Sequence, residues 1–395
     1  ISLDFRNKRD SRKQAIRVRS FAKHLRCIEG QADLNDQVEH FSGDTMNKKL
    51  LSVAIAGAMA APMTAQAVKY KLSGQVNRAV TFVDDGEQSD IRNVDSSASG
   101  TRFRMRGSED LGNGMKVGMY YEVQTSSVSS SGSGGGPDAD TPRNSDGIGI
   151  RQANVWFSGN WGKLTIGQQD GAGNGATEAD LSGTGIVNPP GRTSYTGGMS
   201  WRTSGAGGAK TAGLTAGSTS SNFDSFSRYD ALRYDTPALG PVTVSASIGN
   251  DQLWEVAGRL NTAVGGGQLS AGLFYGADTG VGNADARYGG SLAYLFAQGT
   301  NIQGWYSANE TKTVAPDADS WGIKLGHKWG PNAISVMYAQ ASDVVAGFDD
   351  TGINVGYVRS LKKANTELYA GFFYGELDGS TAGVSYEDQT AFTVG

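Results

Sequence analysis

Three arginines alternate with apolar residues in one short segment: Arg102, Arg104 and Arg106 are separated by Phe103 and Met105. Because successive side chains of a β-strand point to opposite faces, the three guanidinium groups would share one face. If the apolar face meets lipid, the arginines face a polar interior, since a lipid-facing arginine costs about 2–4 kcal/mol at mid-membrane. The spacing predicts a ladder of positive charge that acts on solutes electrostatically, without covalent chemistry.

A long connection supplies the opposite charge. The segment from Gln169 to about Ser225 interrupts the rhythm of short connections and carries Asp170, Glu178 and Asp180. Connections of this length are usually functional. A wide barrel leaves an aqueous lumen that something must narrow, so we expect this segment to fold inward and to set its carboxylates against the basic wall.

The residues for catalysis are missing from the region after Ala67. Its one histidine, His327, shares strand parity with the apolar Leu325, which leaves a Ser-His-Asp hydrolase without a usable base. The glycine-rich run 171–175 is not followed by the Lys-Ser/Thr pair of a phosphate-binding loop. We therefore predict no enzyme and no cofactor.

The charge balance argues against nucleic acid as a partner. The chain has a formal net charge of -4, and clustered excess Lys and Arg, the mark of a nucleic-acid surface, is lacking after Ala67. An acidic segment with Asp138, Asp140 and Asp146 could hold a divalent cation through oxygen ligands. Because that segment lacks an EF-hand spacing, we expect a solvated loop and no metal site.

The front of the chain contains a targeting signal rather than a folded domain. Residues 46–67 combine a charged start at Lys48 and Lys49, an apolar run and a small-residue exit, which together predict a secretory signal peptide cleaved after Ala67. Residues 1–45 precede this signal, so we expect a non-native upstream extension; a genuine basic extension or transit segment is the alternative. Cys27 lies in that stretch, so no disulfide is expected beyond it.

Short segments with alternating polarity follow, and no apolar run approaches the roughly 18 residues of a membrane helix. Val242, Val244, Ala246 and Ile248, for example, alternate with polar or small residues. This is the period of a strand with one apolar and one polar face. We place sixteen such segments, an even number typical of single-chain outer-membrane barrels. They begin near residues 69, 98, 115, 147, 162, 226, 241, 252, 267, 285, 300, 318, 332, 350, 365 and 386.

Connections and aromatic residues favour a membrane barrel over a soluble sandwich. Short turns alternate with long loops, as they do at the two ends of such barrels. The turns include 111–114, 159–162, 240–241 and 330–331, and the long loops include 85–97, 126–146 and 277–284. Aromatic residues near strand ends suit girdles at two lipid interfaces, although they could instead fill a soluble core. They are Trp156, Trp161, Trp254, Tyr275, Tyr294, Phe296, Trp305, Tyr306, Trp321, Trp329, Tyr338, Phe372, Phe373 and Tyr374.

Three blocks carry a family resemblance. The segment from Ser99 to Gln124 resembles the second-to-third-strand hairpin of the Gram-negative general porins, and the blocks 151–170 and 227–240 resemble two later parts of that family. The resemblance implies an all-β fold, a sixteen-stranded antiparallel transmembrane β-barrel over residues 68–395 with a long, inward-folded third loop. It also implies a homotrimer in the outer membrane of a Gram-negative bacterium, in contact with lipid and lipopolysaccharide.

The resemblance further implies a pore constriction in which wall arginines face acidic residues of the third loop. Arg102 falls at the family's wall position, and Arg228 matches a later family block by position. Strand parity, by contrast, favours Arg233 as the inward residue, and we keep both. Arg151 shares parity with apolar neighbours, so we expect it at a strand end rather than on the middle of the wall. The expected basic wall is Arg102, Arg104, Arg106, Arg228 and Arg233, and the expected acidic loop residues are Asp170, Glu178 and Asp180.

The function implied by the resemblance is passive diffusion of small hydrophilic solutes and ions through a water-filled channel. A substrate-selective channel and a plugged structural or adhesive barrel are the alternatives. Gln168 stands where many relatives have an arginine, which leaves the choice between anions and cations open. The chain stops at Gly395 inside the last expected strand, so we expect a few residues to be missing there.

Overall fold

Antiparallel β-strands dominate the computed structural model of this protein. The described residues are 69–137, 147–204, 208–280, 284–313, 315–379 and 384–395. The expected upstream extension 1–45, the expected signal peptide 46–67 and the carboxylates Asp138, Asp140 and Asp146 lie outside them. In the described ranges, every helix is too short or too polar to span a membrane.

Antiparallel strands make up most of the described chain. They are β1 (Lys69–Gln75), β2 (Arg78–Asp84), β3 (Ser89–Asp95), β4 (Arg102–Gly112), β5 (Met115–Gln124), β6 (Gly149–Gly159), β7 (Gly162–Asp170), β8 (Ser200–Arg202), β9 (Lys210–Thr215), β10 (Arg228–Asp235), β11 (Val242–Gly249), β12 (Leu253–Val264), β13 (Gly267–Asp278), β14 (Ala284–Leu295), β15 (Thr300–Thr311), β16 (Ala318–Trp329), β17 (Asn332–Ser342), β18 (Phe348–Leu361), β19 (Thr366–Gly379) and β20 (Gln389–Val394). Short helical turns occur at Ser133–Gly135, Ala216–Thr219 and Lys362–Ala364.

The pairing pattern joins the first barrel strand to the last. β1 pairs with β4, whereas β2, which follows β1 after two residues, pairs with both β3 and β20. β1 and β2 are therefore two halves of one barrel strand, and β3 and β4 are two halves of the next. Counted in this way, the described residues form sixteen barrel strands. Because unpaired edges expose backbone groups, closing the sheet satisfies the hydrogen bonds that lipid cannot.

One predicted long loop is wrong. The polar stretch 85–97 contains β3, which pairs with β2, so the connection between these strands is only residues 85–88. The second barrel strand thus begins at Ser89, not near residue 98. Phe82 and Ile91 are register partners on the outward face. Since the long-range pairing with β2 creates β3, the local polarity of this stretch could not reveal it.

Outward faces of the barrel are apolar and inward faces are polar. On β16, Trp321, Ile323 and Leu325 are exposed on the outside, whereas Lys324 between them is fully buried on the inside. A soluble protein shows the reverse arrangement, with its apolar residues packed inside. The alternation therefore confirms the predicted barrel, with a lipid-facing surface and a polar lumen.

Three aromatic residues expected in the girdles face the interior instead. Trp305 and Phe373 are buried there, and Trp156 lines a lumen cavity. Phe373 packs against Tyr195 of the third loop, with ring centroids 4.9 Å apart. Proximity to a strand end does not determine the face of a side chain, because one residue of offset moves it to the other side of the sheet.

The third loop, which connects β7 to β10, has structure of its own. It contains the two-stranded ribbon β8–β9 and the turn Ala216–Thr219, whose first residues are capped by Thr215 and Ser218. Loop residues hydrogen-bond to inward side chains of β12, β14, β16, β17 and β18. The loop therefore lies inside the barrel, as predicted, but it is more ordered than its composition indicates.

Candidate functional site

A buried ion pair holds the third loop against β16. The Lys324 ammonium lies 2.8 Å from the Asp180 carboxylate and also donates to the carbonyl oxygen of Asn188. Lys324 is fully buried, and its charge would be costly there without these partners. Asp180, expected among the carboxylates of the constriction, therefore neutralises a wall lysine and fixes the loop in position.

A second buried pair holds the loop against β18. The Arg192 guanidinium forms a bidentate ion pair with Asp350, which also accepts a hydrogen bond from Thr219 Oγ1 at 2.6 Å. The Arg192 side chain fits here because Gly352 has no side chain: a Cβ at that position would lie 1.8 Å from Arg192 Cδ. Bidentate geometry gives such a pair directionality as well as strength.

Carboxylates also bind backbone amides near the start and the end of the loop. Glu255 on β12 accepts hydrogen bonds from the amides of Gly173 at 3.0 Å and Phe226 at 2.8 Å. Within the loop, Asp224 accepts from the amide of Gly175 at 2.6 Å. Two amides of the glycine-rich run, those of Gly173 and Gly175, are thus bonded to protein carboxylates.

The predicted arginine ladder lies on the inner face of β4. Arg102, Arg104 and Arg106 pair in register with Gln124, Glu122 and Tyr120 of β5. Arg104 Nε lies 2.5 Å from one oxygen of Glu122, and Arg102 Nη1 lies 3.5 Å from the other. The Arg106 guanidinium lies over the Tyr120 ring, 4.4 Å from its centroid.

Arg151 joins this cluster, contrary to the sequence-based expectation. Its Nε donates to Glu122 at 2.7 Å, so three arginines share one carboxylate. The register between β5 and β6 shifts by one residue at this point, where Glu122 pairs with Gln152 and Val123 with Ile150. Arg151 is the extra residue of a β-bulge, and a bulge redirects a side chain that simple parity would send to the other face.

Arg228 and Arg233, both retained as candidates, lie on β10 and have acidic partners. Arg228 forms an ion pair with Asp170 at 2.8 Å. Arg233 forms one with Asp235 at 2.8 Å and donates to the carbonyl oxygens of Asp170 and Gly171 at 3.1 and 3.0 Å. Asp170 is the last residue of β7 rather than a loop residue, so its carboxylate belongs to the wall.

Glu178 is the predicted acidic residue that remains open to the lumen. Its side chain is exposed and accepts a hydrogen bond from Asn222 Nδ2 at 2.9 Å. Desolvation by the surrounding protein and the nearby Asp224 carboxylate raise the pKa of Glu178 to about 7. Among the described residues, no cation lies within ion-pair distance of it. This carboxylate can therefore change charge near neutral pH.

Sequence reasoning missed Glu122, although a signal was present. The hairpin turn around Asn113 fixes the register of β4 against β5, and that register places Glu122 opposite Arg104. Three arginines on one lumen face predict an acidic partner on the neighbouring strand. By contrast, the pairs of the third loop join residues 144 and 158 positions apart, and no local pattern could have indicated them.

Comparisons with known proteins agree with this architecture. Residues 51–382 match the family model described as Gram-negative porin. Outer membrane porin protein 32 of Delftia acidovorans is 32% identical over 126 residues, which is 31% of this chain and about a third (32%) of that relative's length.

Two solved structures share the fold. An anion-selective porin from Comamonas acidovorans is 20% identical, with a TM-score of 0.56, and the match covers 83% of this chain and 98% of that one. The trimer form of OmpT from Vibrio cholerae is 15% identical, with a TM-score of 0.52 and coverage of 83% and 99%. The family model spans most of the chain, and the fold and the lumen charges agree with it. The chain therefore belongs to the Gram-negative porin family and is a β-barrel porin of the outer membrane.

Proposed function

We propose that this porin lets small hydrophilic solutes and ions cross the outer membrane by passive diffusion, and that its constriction favours anions. The observation that carries the charge preference is the cluster around Glu122. Three guanidinium groups, those of Arg102, Arg104 and Arg151, share this single carboxylate. The cluster therefore keeps an excess of positive charge, and a field of one sign inside a low-dielectric wall raises the local concentration of counter-ions.

The acidic side of the proposed constriction is weak by comparison. Asp180 is neutralised by Lys324, and Asp170 by Arg228. Arg233 and Asp235 likewise offset each other. Of the three predicted acidic residues, Glu178 is then the one left to oppose the arginine cluster, and this balance of charge supports anion preference. The name of the Comamonas relative, an anion-selective porin, is consistent with this balance.

A reversal potential measured across a planar bilayer in a KCl gradient tests the charge preference. We expect the wild-type channel to favour chloride, Arg102→Ala to reduce that preference and Glu178→Ala to increase it. Heat-modifiable migration on a detergent gel serves as the control for folding. A cation-selective wild type, or unchanged selectivity in both variants, would reject the proposed constriction.

An open lumen distinguishes this function from a plugged barrel. A charged cavity of about 730 Å³ remains on the inner wall, lined by inward residues of the strands, which supports an aqueous passage. Liposomes that contain the protein should therefore swell at rates that fall with increasing sugar size. Liposomes that fail to swell although the protein is folded would favour the structural or adhesive alternative, and swelling with a single sugar would favour a substrate-selective channel.

We also propose that the protein works as a homotrimer in contact with lipid and lipopolysaccharide. The exposed outward residues of β1 and β2, such as Leu72, Val80 and Phe82, supply an apolar surface for lipid or for a second subunit. The OmpT structure described as a trimer form has the same fold. Light scattering in mild detergent should give three chains per particle, and a monomer that conducts would contradict the proposal.

A further inference from the structure

A basic cavity lies on the inner wall between the arginine ladder and the end of the barrel that carries the short turns. We call it the basic vestibule. Its volume is about 730 Å³, and its charged lining consists of Lys69, Lys71, Arg106, Lys163 and Arg233 with the carboxylates Asp170 and Asp235. None of the three lysines was singled out by the sequence, and none takes part in the Glu122 cluster.

The strand register brings cations of the vestibule together. Lys71 and Arg106 are direct partners across β1 and β4, and Lys69 faces inward two residues before Lys71. Neighbouring strands are about 4.8 Å apart, and two residues along a strand span about 7 Å. Lys163 lies at the start of β7, on the far side of the cavity. The cations thus surround a space that a small solute can enter.

The carboxylates of the vestibule have other partners. Asp170 pairs with Arg228, which lies outside the cavity lining, and Asp235 pairs with Arg233. Within the described part of the chain, Lys69, Lys71, Arg106 and Lys163 have no carboxylate within 4.0 Å. The vestibule therefore contains four cations that are not neutralised by close ion pairs.

Two of these cations are positioned by aromatic rings. Arg106 lies 4.4 Å from the centroid of Tyr120, and the Lys163 ammonium lies 5.5 Å from that of Trp156. A ring face attracts a cation without neutralising it. Trp156 itself lies against Gly118, where a Cβ would be 2.3 Å from the indole ring. The wall thus holds Arg106 and Lys163 in place while leaving their charge available.

Neutral recognition groups are largely occupied. Gln152 Nε2 donates to Asp170 at 2.9 Å, and Asn154 Nδ2 donates to Gln152 Oε1 and to the carbonyl oxygen of Gln168. Because these amides are bonded to the protein, a solute would be recognised here mainly by charge. A single anionic group could contact only part of the ring of cations, whereas several groups on one molecule could contact it together.

From this arrangement we propose that the basic vestibule binds small solutes carrying two or more phosphate or carboxylate groups. Ammonium and guanidinium groups bind such oxyanions through charge-assisted hydrogen bonds. The inference deepens the proposed function, because it rests on an open lumen and adds a substrate class. It does not depend on the charge preference at the Glu122 cluster, which uses different residues.

Single-channel conductance in KCl tests the proposal, with tripolyphosphate as the probe. We expect tripolyphosphate to lower the wild-type current in a saturable manner. The double variant Lys69→Gln/Lys71→Gln should need roughly tenfold more probe for half inhibition, because it loses two charge-assisted contacts. Lys163→Gln should weaken inhibition as well. The matched control is Lys362→Gln/Lys363→Gln, which removes two exposed lysines from the β18–β19 turn and should behave as wild type.

Three outcomes would overturn the proposal: no saturable inhibition of the wild type, equal inhibition of the vestibule variant, or equal weakening in the control variant. The last would indicate an effect of net charge alone. Chloride selectivity measured on the same channels separates this proposal from the proposed function. If the wild type prefers chloride but is not inhibited, only the vestibule proposal fails, whereas a cation-selective channel that is inhibited would reject only the anion-selective constriction.

Discussion

The Lys324 ammonium and the Asp180 carboxylate lie 2.8 Å apart, and Lys324 is fully buried in the barrel wall. The two residues are 144 positions apart in sequence and join β16 to the third loop. A charge at this depth is stable only with a partner, so the pair couples the position of the loop to the wall. The width of the lumen therefore depends on a contact that is remote from the arginine ladder.

Removing one member of this pair should release the loop. Lys324→Met leaves Asp180 without its cation. We expect the packing of the third loop against the wall to weaken by about 3–5 kcal/mol, the usual cost of an unpaired buried charge. Single-channel recordings should show a larger and noisier conductance. The double variant Lys324→Met/Asp180→Asn removes both charges and should be closer to wild type. Equal disturbance in the single and double variants would contradict this coupling.

The carboxylate of Glu122 should partly offset the positive charge of the three arginines around it. Glu122→Gln keeps the size of the side chain but removes the carboxylate that Arg102, Arg104 and Arg151 share. We expect the chloride-to-potassium permeability ratio to rise by about two- to threefold, since a negative charge is removed from the lumen beside three arginines. Glu376→Gln, on the outward face of β19, is the control and should leave the ratio unchanged. A fall in the ratio would show that Glu122 acts mainly by orienting the arginines.

Ion selectivity should depend on pH near neutrality through Glu178. Its pKa is raised to about 7 by desolvation and by Asp224, so the carboxylate is charged above that pH and neutral below it. Lowering the pH from 8 to 6 should therefore increase the preference for anions. Reversal potentials across this range measure the effect. Glu178→Gln should show the stronger anion preference of low pH at every pH tested. A pH response that persists unchanged in Glu178→Gln would assign the titration to another group.

Gly352, one of the inward glycines of β18, should be required for the third loop to pack against the wall. A Cβ at Gly352 would lie 1.8 Å from Arg192 Cδ, so Gly352→Val should displace Arg192 and cost about 1–3 kcal/mol by overpacking. Gly258→Val, at a glycine with open space around it, is the matched control and should be tolerated. Thermal unfolding followed by heat-modifiable gel migration compares the two. Equal unfolding temperatures would argue that the loop can repack around the new side chain.

Much of the fold was predictable because lipid on one side and water on the other impose strict alternation on every strand. Trp321, Ile323 and Leu325 show this outward pattern directly, and Arg102, Arg104 and Arg106 show the inward one. β3 was not predictable in this way, because its polar residues become a strand only through pairing with β2. Trp156 and Phe373 were assigned to the wrong face for a related reason. Their closeness to a strand end does not show which side of the sheet their side chains face.

By itself, the sequence determined that lipid-facing and water-facing residues alternate along most strands, because period-two alternation is visible within each strand. It also determined that a long segment carrying Glu178 and Asp180 interrupts the series of strands after β7. The tertiary structure alone decided which lumen charges remain free. The bulge that turns Arg151 toward Glu122, and the buried Lys324 that neutralises Asp180, arise from contacts between distant strands and the folded loop. Charge balance in a lumen depends on distances across the barrel, and a linear sequence does not contain those distances.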